Sequence, residues 1–169
     1  GTDALRSNTT ANYNTAVGTK AGYSNVTGVE LVALGHEALY SSTATGNTGL
    51  GYKAGRSNTT ADDGTFVGAF SGFANTTGAN NTAVGFASLT ANTTGTNNTA
   101  VGQQALKNNT TASRNTAVGT SAMLANTTGT LNVALGSYAL RFNTNGNENT
   151  AVGDAALYAN TTGINNTAV

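Results

Sequence analysis

Apolar residues along this chain fall into the same short groups once every 17 residues. Numbered from the recurrent glycines Gly1, Gly18, Gly35, Gly51, Gly68, Gly85, Gly102, Gly119, Gly136 and Gly153, the 169 residues divide without remainder. The units are 1–17, 18–34, 35–50, 51–67, 68–84, 85–101, 102–118, 119–135, 136–152 and 153–169, so nine have 17 residues and the third has 16, having lost one from its middle. Unit position 17 is always Val or Leu, position 4 is Ala or Ser, and position 5 is Leu, Met or Gly. Position 8 is Asn in nine units and Ser42 in the other, and Asn recurs at position 14, as Asn81, Asn98, Asn115, Asn132, Asn149 and Asn166. Self-similarity at a fixed period is the signature of a repeat architecture.

β-Branched Thr and Val cluster at positions 15 to 17, which favours short strands, and a glycine in every unit argues against a continuous helix. Asn-Thr-Thr-Gly, at 75–78, 92–95 and 160–163, fits a type I turn; Ala11, Ala61 and Ala112 replace its glycine, so a Cβ is tolerated there. The pattern predicts an all-β parallel β-solenoid, a β-roll of ten coils in one repeat domain over 1–169. One strand is expected over Asn-Thr-Ala-Val-Gly and a second near Ala-Leu. A single coil buries too little to offset the ordering of its backbone, whereas stacked coils share a continuous core. The expected interior per unit is one Leu, one Val and two Ala. Stacking also sets Asn over Asn about 4.8 Å apart, close enough for amide ladders, and ten rungs make a rod of roughly 50 Å.

All fourteen charged residues fall at positions 2, 3, 6, 12 or 13, which are therefore expected to face water. Seven Lys and Arg balance seven Asp and Glu, leaving no electrostatic footprint for nucleic acid or an anionic membrane. Charged residues make up 8% of the chain against about 25% ordinarily, so solubility falls to the uncharged Asn and Thr. Without cysteine there is no disulfide or thiolate metal site, and no apolar run reaches the ~18 residues of a membrane helix. The first residues lack the charged-then-apolar order of a signal peptide, so any segment for export or anchoring is expected to lie outside this stretch. The chain opens on position 1 and closes on position 17, which predicts either a window of a longer array or rods that stack end to end into a filament.

The recurring NTAVG followed by Ala-Leu resembles the NSVAIG-type repeats in the heads of trimeric autotransporter adhesins, and more closely the NTAVG arrays of bacterial and phage tail-fibre-type proteins. The resemblance covers all ten units. It implies a left-handed parallel β-roll, three chains packed side by side, and an extracellular fibre that binds a host surface or glycan. In the residues themselves, the alanines Ala16, Ala83, Ala100, Ala117, Ala134, Ala151 and Ala168 are expected either to let a neighbouring chain approach or merely to fill a narrow coil.

No catalytic constellation emerges, and no cofactor is expected. His36, the single histidine, reads as an exposed spacer, and Asp62–Asp63–Gly64 reads as an irregular turn, since its acids do not recur as they do in calcium-binding β-rolls. The glycines lack the Lys and the strand-loop-helix setting of a phosphate loop. Twelve Asn-x-Thr triplets, among them those starting at Asn8, Asn58 and Asn165, follow from composition and are latent glycan acceptors if the fibre is exported. Ten of the eleven aromatics occupy variable positions, and Tyr23, Tyr40, Phe70, Phe73 and Phe86 concentrate in units 2 to 6. These five are the candidate surface-binding residues; the same region holds the deletion, Leu31 in place of Asn, and Phe66 in place of Ala. Two other roles are a passive spacer for a tip located elsewhere, and binding to ice or a crystal face through Thr at positions 9 and 15. Val26, Val32 and Val133 weigh against the second, because they keep the β-branched shape and lose the hydroxyl.

Overall fold

A computed structural model describes residues 1–169. It contains no helix and ten strands, one per unit: β1 Thr15–Val17, β2 Val32–Leu34, β3 Thr48–Leu50, β4 Thr65–Val67, β5 Thr82–Val84, β6 Thr99–Val101, β7 Thr116–Val118, β8 Val133–Leu135, β9 Thr150–Val152 and β10 Thr167–Ala168. They form a single parallel sheet in chain order, a β-solenoid in which each circuit takes about 17 residues. Register is strict, with Thr82 opposite Thr99 and Ala83 opposite Ala100, so equivalent residues lie directly over one another.

The unit's short middle stays within this register. Thr43 Oγ1 donates to Thr59 O as position 9 does elsewhere, while Asp63 N donates to Thr45 O as position 13 does to position 12 of the preceding coil. Gly28 lies against Ala44 O as Gly95 lies against Ala112 O, so Ala44 holds position 11, the missing residue of unit 3 is position 10, and the loss is absorbed before Thr48 pairs with Val32 and Thr65.

No strand forms at Ala-Leu. Positions 1 to 8 make two successive tight turns, in which Ala21 N donates to Gly18 O and Asn25 N to Gly22 O. Positions 3 and 5 between them are left-handed: Glu37 and Lys53 have φ of 55° and 56°, and Leu89, Leu106 and Leu140 each 49°. A β-ladder cannot run through such residues, yet the coils still bond across this segment, Leu106 N to Ala122 O at 3.0 Å and Ser57 N to Phe73 O at 3.1 Å. Left-handed Leu is costly for an isolated chain. Here the neighbouring coils impose it, because only that conformation turns the Leu side chain inward and leaves it buried. The leading glycine is dictated by close approach: Gly85 has φ 129°, and a Cβ there would stand 2.6 Å from Gly102 O.

The core is a thin continuous column of 19 buried residues, Ala at positions 4 and 16 and Leu or Met at position 5, joined by Leu31 and Phe66. This corrects two expectations. The Val or Leu of position 17 points outward, 54% exposed at Val17 and 43% at Leu34, because a three-residue strand with Ala inward must turn its outer two residues to the other face. For the same reason Ala83, Ala100, Ala117, Ala134 and Ala151 fill the coil and offer nothing to a neighbouring chain.

The irregular units compensate one another. Phe66 at position 16 is fully buried, and glycine replaces Leu at Gly55 and Gly72, the two position-5 sites packed on it. Gly64 takes the place of Asn at position 14, where a Cβ would meet Phe66 Cε2 at 2.6 Å. Leu31, inside at another Asn position, lies over Gly22 in the same way. Core volume is conserved while its distribution changes, the arrangement that packed interiors tolerate.

Candidate interaction surface

Two asparagine ladders run along the last six coils and bond each to the next in register. In the first, Asn92, Asn109, Asn126, Asn143 and Asn160 each donate Nδ2–H to the Oδ1 of the Asn one coil earlier, at 2.7 to 3.1 Å. The same amide group bonds the position-11 carbonyl of its own coil, as Asn75 does to Gly78 O at 3.0 Å. The expected turn is thus closed by the Asn side chain: Asn25 Oδ1 accepts from Gly28 N at 2.9 Å. In the second ladder the Oδ1 of Asn81, Asn98, Asn115, Asn132 and Asn149 accepts the backbone N–H of the Asn above, at 2.9 to 3.1 Å. The first ladder runs from Asn75 to Asn160; before it, around Ser42, the amides of Asn25 and Asn58 bond only within their own turns, and Asn8 Oδ1 and the Ser42 hydroxyl have no partner.

Outside these ladders the solenoid presents two distinct faces. The strand face carries Thr at position 15 and Val or Leu at position 17 in parallel columns, with no charged residue among them. The position-15 hydroxyls make no hydrogen bond within the protein, whereas those of position 9 are committed inside: Thr76 Oγ1 donates to Thr93 O at 2.9 Å, and Thr93 Oγ1 to Thr110 O at 3.1 Å. At position 9, then, the hydroxyl and not only the branched shape is used, a role that its replacement at Val26 obscured in the sequence.

The turn face, positions 2 to 7, carries most of the aromatics and the paired charges. Tyr23 and Tyr40 are stacked, with ring centroids 4.9 Å apart and planes 3° from parallel. Arg6 stands over Tyr23 at 5.6 Å and Arg56 over Tyr40 at 5.1 Å, so one cation closes each end of the stack and both rings have their faces covered. Phe70 is the hub of a second cluster, edge-on to Tyr52, Phe73 and Phe86 at 5.2, 5.8 and 6.3 Å. The structure thus gathers the five candidate aromatics on one face in two groups, and it adds His36, stacked on Tyr52 at 5.5 Å. Among the candidate five, Phe86 is the exposed one.

No protein-family model, curated protein or solved structure matches the chain.

Glu37 ties the two aromatic groups together. Its Oε2 accepts from Arg56 Nε at 2.7 Å and lies 3.9 Å from Lys53 Nζ. The hydrogen bond from Arg56, aided by the charges of Arg56, Lys53 and His36 and opposed by desolvation, holds its carboxyl below the ordinary value of 4.5. A depressed carboxylate contributes stability that is complete above the unfolded-state value and is lost as pH falls through the lower folded-state value. Thermal melts between pH 6 and about pH 3 should therefore show an acid-limb decline that is shallower in Glu37→Gln; parallel curves for the two proteins would show that this pair stabilises nothing.

Other sequence candidates fall elsewhere. Asp62 accepts Thr45 N at 2.8 Å, which ties two coils across the outer turn, and no group of metal-ligating side chains is assembled around it or in any other part of the molecule. Asn-x-Thr triplets led by position 8, such as that of Asn58, have their amide buried and bonded to Ala61 O, while those led by Asn80, Asn97 and Asn165 are exposed.

Proposed function

We propose that this chain is a rod-forming structural segment of an extracellular filament, surface adhesin or tail fibre, non-catalytic, with its outer turn face available for contact with a surface or glycan. The observation that carries the reading is the pair of unbroken asparagine ladders over the last six coils, side-chain hydrogen bonding spent on axial order. Every charged residue lies outside, so length can grow by adding coils without burying charge. The resemblance of the NTAVG units to fibre and adhesin-head repeats points the same way.

Self-association belongs to the same proposal. The outward Val and Leu column of β1 to β9 is uncharged and runs the whole rod, and a strip about 10 Å by 45 Å offers near 450 Å² per chain. That is below the roughly 800 Å² per partner of a stable pair, so this strip alone does not hold a dimer, and the packing of three chains rests on the resemblance to adhesin-head repeats. Solution mass measured beside electron micrographs tests the whole reading. Rods of roughly 50 Å with the mass of three chains are expected; globular particles would end the fibre reading, monomeric rods the lateral packing alone, and long filaments would replace it with end-to-end stacking.

A further inference from the structure

Position 6 carries arginine in three coils, Arg6, Arg56 and Arg141, and each guanidinium stands over aromatic rings. In the first two a carboxylate faces Nε: Asp3 Oδ1 is 3.9 Å from Arg6 Nε, and Glu37 Oε2 is 2.7 Å from Arg56 Nε. Both acids occupy position 3, Asp3 in the arginine's own coil and Glu37 in the coil before. For Arg141 the corresponding residues are Tyr138 and Ser121. No carboxylate pairs with Arg141, and its Nε is enclosed without an acceptor from the protein. Instead three rings surround it, with centroids 5.1 Å (Tyr138), 5.3 Å (Phe142) and 6.0 Å (Tyr158) from Cζ; Nη1 donates to the Tyr158 hydroxyl at 3.2 Å. All three rings are exposed at the surface, and Phe142 meets Tyr158 edge-on at 5.0 Å.

We propose that Arg141, with Tyr138, Phe142 and Tyr158, binds the carboxylate of an acidic sugar of the uronic or sialic acid kind. The carboxylate takes the place at Nε that Asp3 and Glu37 hold in the other two coils, reached by rotation of the exposed Phe142 or Tyr158 ring. Guanidinium and carboxylate match as a two-bond fork, and a guanidinium already seated on rings has little freedom left to lose. The ring surfaces then take the apolar C–H face of the pyranose, and the Tyr138 hydroxyl offers a partner to its hydroxyls. An acidic peptide would use the cation and leave the three rings idle, which is why a sugar fits better. This site lies in units 9 and 10, away from the aromatics of units 2 to 6, where the Arg6 and Arg56 guanidiniums already face Asp3 and Glu37.

The proposal rests on the surface-contact part of the fibre reading, and the two can fail separately. The test is an NMR titration of the intact chain with sodium glucuronate, N-acetylneuraminate, glucose and acetate, following the arginine Nε–H and aromatic ring signals. Saturable shifts at Arg141, Tyr138, Phe142 and Tyr158 are expected with both sugar acids and not with glucose, while the Arg6 and Arg56 signals stay fixed. Arg141→Gln should weaken binding at least about tenfold. Tyr138→Asp, which restores the spacing of Asp3 to Arg6, should abolish it by supplying an internal partner. Absence of saturation at Arg141, equal shifts with glucose, acetate binding as tightly as the sugar acids, or undiminished binding by Tyr138→Asp would each overturn the proposal. Rod length in the same samples reports on the fibre reading independently.

Discussion

Replacing Phe66 by Ala should lower unfolding stability by about 3–5 kcal/mol, the range for emptying a buried aromatic site, and part of that loss should return when Gly72→Leu is added. The ring is fully buried and fills space that in regular coils belongs to the position-5 Leu of two successive turns. Gly72→Leu alone should destabilise strongly, since its side chain would be built onto Phe66 Cδ1. The left-handed backbone is not the obstacle, because Leu89 holds φ 49° at the same position one coil on against 55° at Gly72. Together the two changes approach the regular Ala and Leu pairing of Ala83 and Leu89. Urea midpoints of the four proteins in the double-mutant cycle provide the measurement. Additive effects, with no rescue, would refute the exchange of volume between Phe66 and its glycines.

Asn109→Leu, in the middle of the first ladder, is the second large effect. It removes the donor to Asn92 Oδ1 at 2.9 Å, leaving that buried oxygen unpaired, and the acceptor for Asn126 Nδ2 at 3.0 Å, leaving that amide with only its bond to Gly129 O at 2.9 Å. With the stranded oxygen at about 1–3 kcal/mol and the lost second bond at about 0.5–1.5 kcal/mol, the expected cost is about 1.5–4.5 kcal/mol. Ala112 O is spared, since Asn98 Nδ2 also reaches it at 2.9 Å. Asn58→Leu is the contrasting case. Beside the Ser42 break its amide bonds only Ala61, so the change strands Ala61 N and no neighbouring side chain in the ladder. Denaturant melts should rank Asn109→Leu as clearly the more damaging. Equal losses at both positions would mean that the axial links contribute nothing beyond the local turn.

The circuit, its period and the two asparagine columns were legible because stacking forces one residue type to recur wherever identical neighbours must bond. Charged residues gave the outer surface for the same reason, since none of the fourteen sits at a buried position. What the sequence hid is which way the remaining apolar groups point. Ala16 and Val17 are adjacent and recur in kind in most units, and nothing in an all-β repeat says that the smaller one is inside until the narrowness of the coil is known. Leu at position 5 suggested a strand because composition records the side chain and not the backbone sign; its φ near 49° came from the coils above and below. The candidate aromatics were found as a region but not as an arrangement. Stacking of Tyr23 on Tyr40 depends on their sharing position 6 in successive units, a signal that was present. The Arg141 cluster spans positions 3, 6 and 7 of two coils, and only the comparison of three arginines in space sets it apart.

The loss of position 10 in unit 3 shows where this architecture accepts a change of chain length: the turn shortens and Thr48 still meets its neighbours in phase. Elsewhere, removing a single residue would shear all columns beyond it, while removing 17 would shift none. Adding or deleting one whole unit therefore changes the length of the particle by a single coil and leaves every other neighbour in phase.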